Sequence, residues 1–183
     1  HFDYKLAVEA AAAGADKIRI NPGNIGGTDR VRAVVQACRQ RNLPIRIGVN
    51  GGSLEKELLA EYGGVTAEAM YESAMGHVRL LNRFDFDDIC ISVKASSVPL
   101  TLAAYRLMAE QTDYPLHVGV TEAGTEYMGL VKSAVGIGTL LSEGIGDTIR
   151  VSLTAPPERE VTAGIAILKA AGLRHGGVEI ISC

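Results

Sequence analysis

The chain is short of cysteine, of net positive charge and of long apolar runs. Its three cysteines, Cys38, Cys90 and Cys183, are scattered, so they build neither a disulfide framework nor a self-contained metal motif. The net charge is −3, which gives no reason to expect nucleic acid or an acidic membrane as partner. No apolar run is long enough to span a bilayer and no leader is read at the start, so a reducing, cytoplasmic compartment is expected. Any anion site must therefore come from the local placement of a few cations.

The 183 residues are 47% hydrophobic and 21% charged, enough for one domain with a sizeable core. We read residues 1–183 as a single unit. The chain opens on His1 and enters a helical pattern almost at once. It closes on the strand-like EIISC. Both ends lead us to expect a piece of a longer protein.

The stretch Leu116–Thr154 sets the pattern. A β-type run, Leu116–Val120, stops at Thr121 and Glu122; a helical stretch follows, and a second β-type run, Ile149–Leu153, comes after Gly144 and Gly146. This is a β-α-β unit, two parallel strands joined by a crossover helix. Within its helix, the spacing of Tyr127, Leu130, Val131, Ala134, Ile137, Gly138 and Leu141 predicts one buried face. Similar units recur, with strands at Lys17–Asn21, Ile45–Val49, Ile89–Val93 and Val178–Ile181. Thr28 is expected to cap the helix after the first of these. The mean step is about 32 residues, and eight such steps need about 260, close to the roughly 250 of a (β/α)8 barrel. The expected fold is thus α/β, a TIM-type barrel of about six units, incomplete at its N-terminal side.

Side-chain parity decides between a barrel and an open, doubly wound sheet. Successive strand residues point to opposite faces. Ile18 and Ile20 share a face against Arg19 and Asn21; Ile45, Ile47 and Val49 oppose Arg46, Gly48 and Asn50; Ile91 and Val93 oppose Ser92 and Lys94; Ile149, Val151 and Leu153 oppose Arg150, Ser152 and Thr154. A doubly wound sheet is covered by helices on both faces and reads as apolar on both. Here one face is polar, so it must look into a shared bore.

That bore would gather Arg19, Arg46 and Lys94 near its mouth, with Arg150 deeper and Ser152 beside them. Buried cations without partners are strongly disfavoured, and the matching face carries almost no Asp or Glu. A phosphate or diphosphate suits arginine forks and a lysine point charge. Arg150, near the start of its strand, is expected to pair with an interior carboxylate instead. Glu122 ends a strand in a glycine-flanked loop, where a barrel keeps its catalytic groups. His117 is read equally well as a satisfied interior histidine or as a participant. Loops 23–27 and 51–53 offer backbone N–H groups to phosphate, although such stretches are more often plain turns. Cys38 and Cys90 read as core.

The strings KIRINPGNIG (17–26), IRIGVNGGSLEKELL (45–59), ISVKAS (91–96), LHVGVTEAGT (116–125), KSAVGIGTLLSEGIGDTIRVSLT (132–154) and the final ISC closely resemble the 4-hydroxy-3-methylbut-2-enyl diphosphate synthases. These are iron–sulfur oxidoreductases of the non-mevalonate isoprenoid pathway. The resemblance covers essentially the whole chain. It implies reductive ring opening and dehydration of 2-C-methyl-D-erythritol 2,4-cyclodiphosphate to the linear hydroxymethylbutenyl diphosphate, with electrons from ferredoxin or flavodoxin. It also implies a homodimer, and a 4Fe-4S cluster on a C-terminal domain that lies outside this sequence. By motif match, Arg19, Arg46, Lys94 and Ser152 are the expected diphosphate ligands, and Asn21 and Asn50 supporting contacts. Glu122 is the expected catalytic carboxylate, and Cys183 the first cluster cysteine. Two rivals stand beside this: an aldolase-type barrel with Lys94 forming a Schiff base, and an inactive diphosphate-binding fragment.

Overall fold

The computed structural model describes residues 3–176. Its elements run α1 (Tyr4–Ala12), β1 (Ile18–Ile20), α2 (Pro22–Ile25), α3 (Thr28–Gln40), β2 (Ile45–Asn50), α4 (Lys56–Glu61), α5 (Ala67–Asn82), β3 (Ile89–Lys94), α6 (Val98–Gln111), β4 (His117–Val118), α7 (Glu126–Ser142), β5 (Thr148–Ile149) and α8 (Pro157–Ala170), with a single 3-10 turn at Gly51–Ser53. The expected strand Val178–Ile181 and Cys183 lie outside the described residues.

Strands β1, β2 and β3 form one parallel sheet in that order, and β4 and β5 a second parallel pair. A parallel bridge, Ile91 to Leu116, joins the two. Spatial order therefore follows chain order from β1 to β5. A doubly wound sheet reverses its order at a switch point, and no reversal occurs among the described residues. The outward face, including Ile20, Ile47, Ile91, Val93 and Val118, is packed with Val34, Met70, Val78, Met108, Ile137 and Leu140 from the helices in one core. The arrangement is a sector of a singly wound barrel. Among the described residues it does not close.

The gap between β3 and β4 has a specific cause. In a regular parallel ladder the N–H of Val93 would reach the next strand directly, as Ile91 N reaches Pro115 O at 2.8 Å. Instead the Tyr105 hydroxyl of α6 accepts from Val93 N at 3.2 Å and donates to His117 O at 2.7 Å. The tyrosine is fully buried. Its oxygen satisfies both backbone groups while holding the strands apart.

Two expectations about helices need correction. Thr28 is the first residue of α3, not its cap; Gly27 occupies the cap position without a side-chain hydrogen bond. The buried face of α7 is Gly129, Ser133, Gly136, Ile137 and Leu140, whereas Tyr127, Leu130 and Val131 are exposed, Tyr127 to 73%. The helix is apolar nearly all round, so periodicity alone does not select a face. Close approach does. A Cβ on Gly136 would stand 2.8 Å from Val120 Cγ2, and one on Gly129 3.0 Å from Leu153 Cδ2. Gly129, Ser133 and Gly136 let the helix approach the strands, Ile137 and Leu140 fill the core beside them, and Tyr127, Leu130 and Val131 are left outside.

Candidate functional site

The bore face collects cations as parity demands. In register, Arg19 pairs with Arg46 across β1 and β2, and Asn50 with Lys94 across β2 and β3. Arg19 and Arg46 are half-buried and Lys94 is only 5% exposed. No described ion pair involves Arg19, Arg46, Lys94 or Arg150; those formed are His77–Glu55, Arg79–Glu72, Arg106–Glu143 and Arg159–Glu126. The expected carboxylate partner of Arg150 is thus not found among the described residues. Arg150 instead adds its charge to the set, because Asp147, the nearest acid in sequence, accepts from the Leu116 N–H at 2.7 Å.

The electrostatic consequences are large. Burial, then the charges of Arg46, Arg150 and Arg19, pulls the Lys94 ammonium down to about 7. Arg19 is lowered by burial and by Arg46 and Arg150. Arg46 is lowered chiefly by burial, and its Nε is buried without a hydrogen-bond partner. His117, half-buried, falls to about 3 through desolvation and then the charges of Lys94 and Arg46. It is neutral at pH 7, with Nδ1 2.8 Å from Thr148 Oγ1 and Nε2 buried and unpartnered. A multivalent anion would relieve these cations together.

Two glycines on the bore face permit close approach, Gly48 to the Arg19 side chain and Gly119 to the Arg150 backbone. A Cβ on Gly48 would lie 2.2 Å from Arg19 Nε, and one on Gly119 would lie 3.4 Å from Lys94 Cε and 2.5 Å from the Arg150 carbonyl oxygen. Sequence reading missed these clearances. Their signal was present: glycine at the inward parity position of a strand, where it otherwise weakens the strand.

The expected neighbours fall less evenly. Asn21 is buried, and its Oδ1 caps α2 by accepting from Gly23 N at 3.2 Å; that oxygen is committed to the fold. Asn50 stays half-buried beside Lys94. Ser152 is half-buried two residues beyond Arg150. Cys90 faces the bore by parity rather than the outer core, and burial raises its thiol. A half-buried pair that sequence reading did not single out, His77 Nε2 to Glu55 Oε1 at 3.0 Å, stands beside the first loop, where a Gly23 Cβ would be 3.2 Å from Glu55 Oε1.

Glu122 has a left-handed backbone, φ 51°, which costs a non-glycine residue about 1 kcal/mol. The loop is held by Thr121 N to Ala95 O at 3.2 Å and by Thr154 Oγ1 to Gly124 O at 2.9 Å. The exposed carboxylate faces Gly52, its oxygens 3.8 and 3.9 Å from where a Cβ would stand. Gly51, Gly52, Ala95, Ser96, Thr121 and Glu122 line a cavity of about 240 Å³ at the strand ends. Strained backbone at such a mouth is a functional signal.

A resident cluster does not fit the described residues. They contain no grouping of three His, Cys, Asp or Glu side chains able to hold a metal, and Cys38 and Cys90 are separately buried.

Comparison with known proteins agrees with the geometry. Curated relatives named 4-hydroxy-3-methylbut-2-en-1-yl diphosphate synthase (flavodoxin) include those of Ruminiclostridium cellulolyticum, 63% identical, and Geobacter sulfurreducens, 61% identical. Each alignment covers 183 residues, all of this chain and 52% of the relative. The chain thus spans about half the length of the curated relatives it matches. Among solved structures, a type I 3-dehydroquinate dehydratase from Clostridium difficile shares the fold, with TM-score 0.53 and 16% identity over 91% of this chain and 60% of that one. The model of the GcpE TIM-barrel domain matches residues 1–165, and the chain belongs to that family.

Proposed function

We propose that this chain is the substrate-binding barrel sector of a 4-hydroxy-3-methylbut-2-en-1-yl diphosphate synthase. The observation that carries this is the set of Arg19, Arg46 and Lys94 on one inward face, without an ion pair among the described residues, to which the exposed Arg150 adds its charge. The relatives' printed name supports it over the full length of the chain. The substrate is the cyclic diphosphate of 2-C-methyl-D-erythritol. Arg19, Arg46 and Lys94 hold its diphosphate, with Ser152 and Asn50 as lesser polar contacts and Asn21 shaping the first loop. Two electrons open the ring and one hydroxyl leaves as water. Glu122 supplies the proton to the departing oxygen.

The relatives' names point to flavodoxin as electron donor. The 4Fe-4S cluster belongs to residues other than those described, with Cys183 its candidate contribution from this chain. The cytoplasm is the proposed location; no described helix is long and apolar enough to cross a membrane. A homodimer is supported by the exposed apolar side chains Tyr127, Leu130, Val131 and Val135 on α7. The relatives' names give no support to Lys94 as a Schiff-base lysine.

The direct test supplies the whole protein, anaerobically, with the cyclic diphosphate and reduced flavodoxin. The linear hydroxymethylbutenyl diphosphate should accumulate, and inorganic pyrophosphate should compete. No turnover by a cluster-loaded preparation would sink the proposal.

A further inference from the structure

Gly48 lies inside β2, on the bore face between Arg46 and Asn50 and in register with Ser92. Glycine in a strand interior forfeits packing and backbone entropy and often marks the close approach of another group. The group here is the side chain of Arg19, arriving from β1. A Cβ at Gly48 would stand 2.2 Å from Arg19 Nε, 2.7 Å from Nη2 and 2.9 Å from Cζ. The nearest three atoms all belong to that one side chain. The Nη2 also donates to the Gly48 carbonyl at 3.0 Å, the one side-chain hydrogen bond Arg19 makes among the described residues.

The electrostatics make this furrow necessary. Arg46 and Arg150 repel Arg19, and among the described residues no carboxylate pairs with it. Left to these forces, a long flexible side chain would turn toward solvent. What holds it over β2 is the missing side chain and the carbonyl beneath it. One donor is thereby fixed, and the rest of the guanidinium fork is presented from a defined place. A planar fork held in advance binds a phosphoryl group with less ordering cost than a free one.

We infer that Gly48 is a positioning residue for anion binding: it seats the Arg19 guanidinium across β2, and any larger residue displaces the fork from the diphosphate. This rests on the reading of the bore as a diphosphate site. It goes beyond that reading by placing specificity in a residue that has no side chain to touch a ligand.

The test is a double-variant cycle in the whole protein, with inorganic pyrophosphate as the titrated probe. Gly48→Ala and Arg19→Ala should each weaken pyrophosphate binding about tenfold or more, the scale of a lost charge-assisted hydrogen bond. The double variant should bind no more weakly than Arg19→Ala alone. Losses that multiply, or normal binding by a folded Gly48→Ala, overturn the inference. Normal binding by Arg19→Ala overturns the diphosphate reading itself and the inference with it. If Gly48→Ala alone destabilises the fold, the same cycle is read in Tm. Truncating Arg19 removes the clash and should restore stability, and a double variant as unstable as Gly48→Ala overturns the inference.

Discussion

Tyr105 of α6 donates its hydroxyl to the carbonyl of His117 in β4 at 2.7 Å, and the same oxygen accepts from Val93 N in β3. One side chain thus stands in for a rung of the barrel ladder, beside the strand that ends in Lys94. Tyr105→Phe leaves a buried N–H and a buried carbonyl without partners, at roughly 1–3 kcal/mol for an orphaned group. The expected outcome is a lower Tm together with a shift in the Val93 and His117 amide resonances. An unchanged Tm would show that the strands re-pair directly and that the hydroxyl is dispensable.

Lys94 is held in its place at a cost to the fold. Its side chain runs past Gly119, with Cε 3.4 Å from where a Cβ would stand, and its ammonium is pulled down to about 7 by burial and the surrounding arginines. An unfolded lysine titrates near 10.4, so between about 7 and 10 the unfolded chain binds more protons. Stability of the ligand-free protein should therefore rise with pH across that window. Lys94→Met should raise Tm at pH 7, as replacing an uncompensated buried charge does, while weakening pyrophosphate binding at least tenfold. Binding to the parent should also take up protons near pH 7, which calorimetry in buffers of different ionisation enthalpy measures. No buffer dependence would mean Lys94 is already fully charged.

Much of the site was legible because strands alternate. The period of two puts Arg19, Arg46 and Lys94 on one face, as the strand register does, and the near-absence of Asp and Glu on that face is what suggests an anion there. Glu122 was legible from its place at a strand end, but not its positive φ, which depends on the loop contacts through Ala95 and Thr154. Helix α7 misled because leucine, valine and tyrosine occupy nearly every direction around it; its inward face is set by how close Gly129 and Gly136 bring it to the strands. Glycine at an inward strand position flags Gly48 and Gly119, but what approaches each, the Arg19 side chain at Gly48 and the Arg150 carbonyl at Gly119, comes from a neighbouring strand and is not written in the local pattern. The role of Tyr105 was hidden for the same reason: it depends on where two strands separate.

The outward face of α7 makes its own prediction. Val135 is 53% exposed and lies along the helix from Tyr127 and Val131, which are also exposed. If a second copy covers this face, Val135→Asp buries a charge in the interface and should shift the whole protein from dimer to monomer by light scattering. Fold should be preserved, since the residue contributes nothing to the core. A dimer as tight as the parent's would place the interface elsewhere.

Glu122 offers a prediction with two opposed signs. Its φ of 51° is the left-handed region, where glycine rests without the Cβ penalty that any other residue carries. Glu122→Gly should therefore stabilise the protein by about 1 kcal/mol, seen as a rise in Tm. A carboxylate kept at a strained position, facing Gly52 across the mouth cavity, has no packing role to justify it. It suits the delivery of a proton to a departing hydroxyl, which a glycine or a glutamine cannot perform. Removing one acid–base group costs about 10²–10⁴ in rate. Both Glu122→Gly and Glu122→Gln should lose turnover on that scale while binding pyrophosphate normally, and only the glycine variant should gain stability. Measuring Tm, pyrophosphate affinity and turnover on the same two proteins separates the roles. A stabilised Glu122→Gly with full turnover would leave Glu122 a strained loop residue with no part in the chemistry.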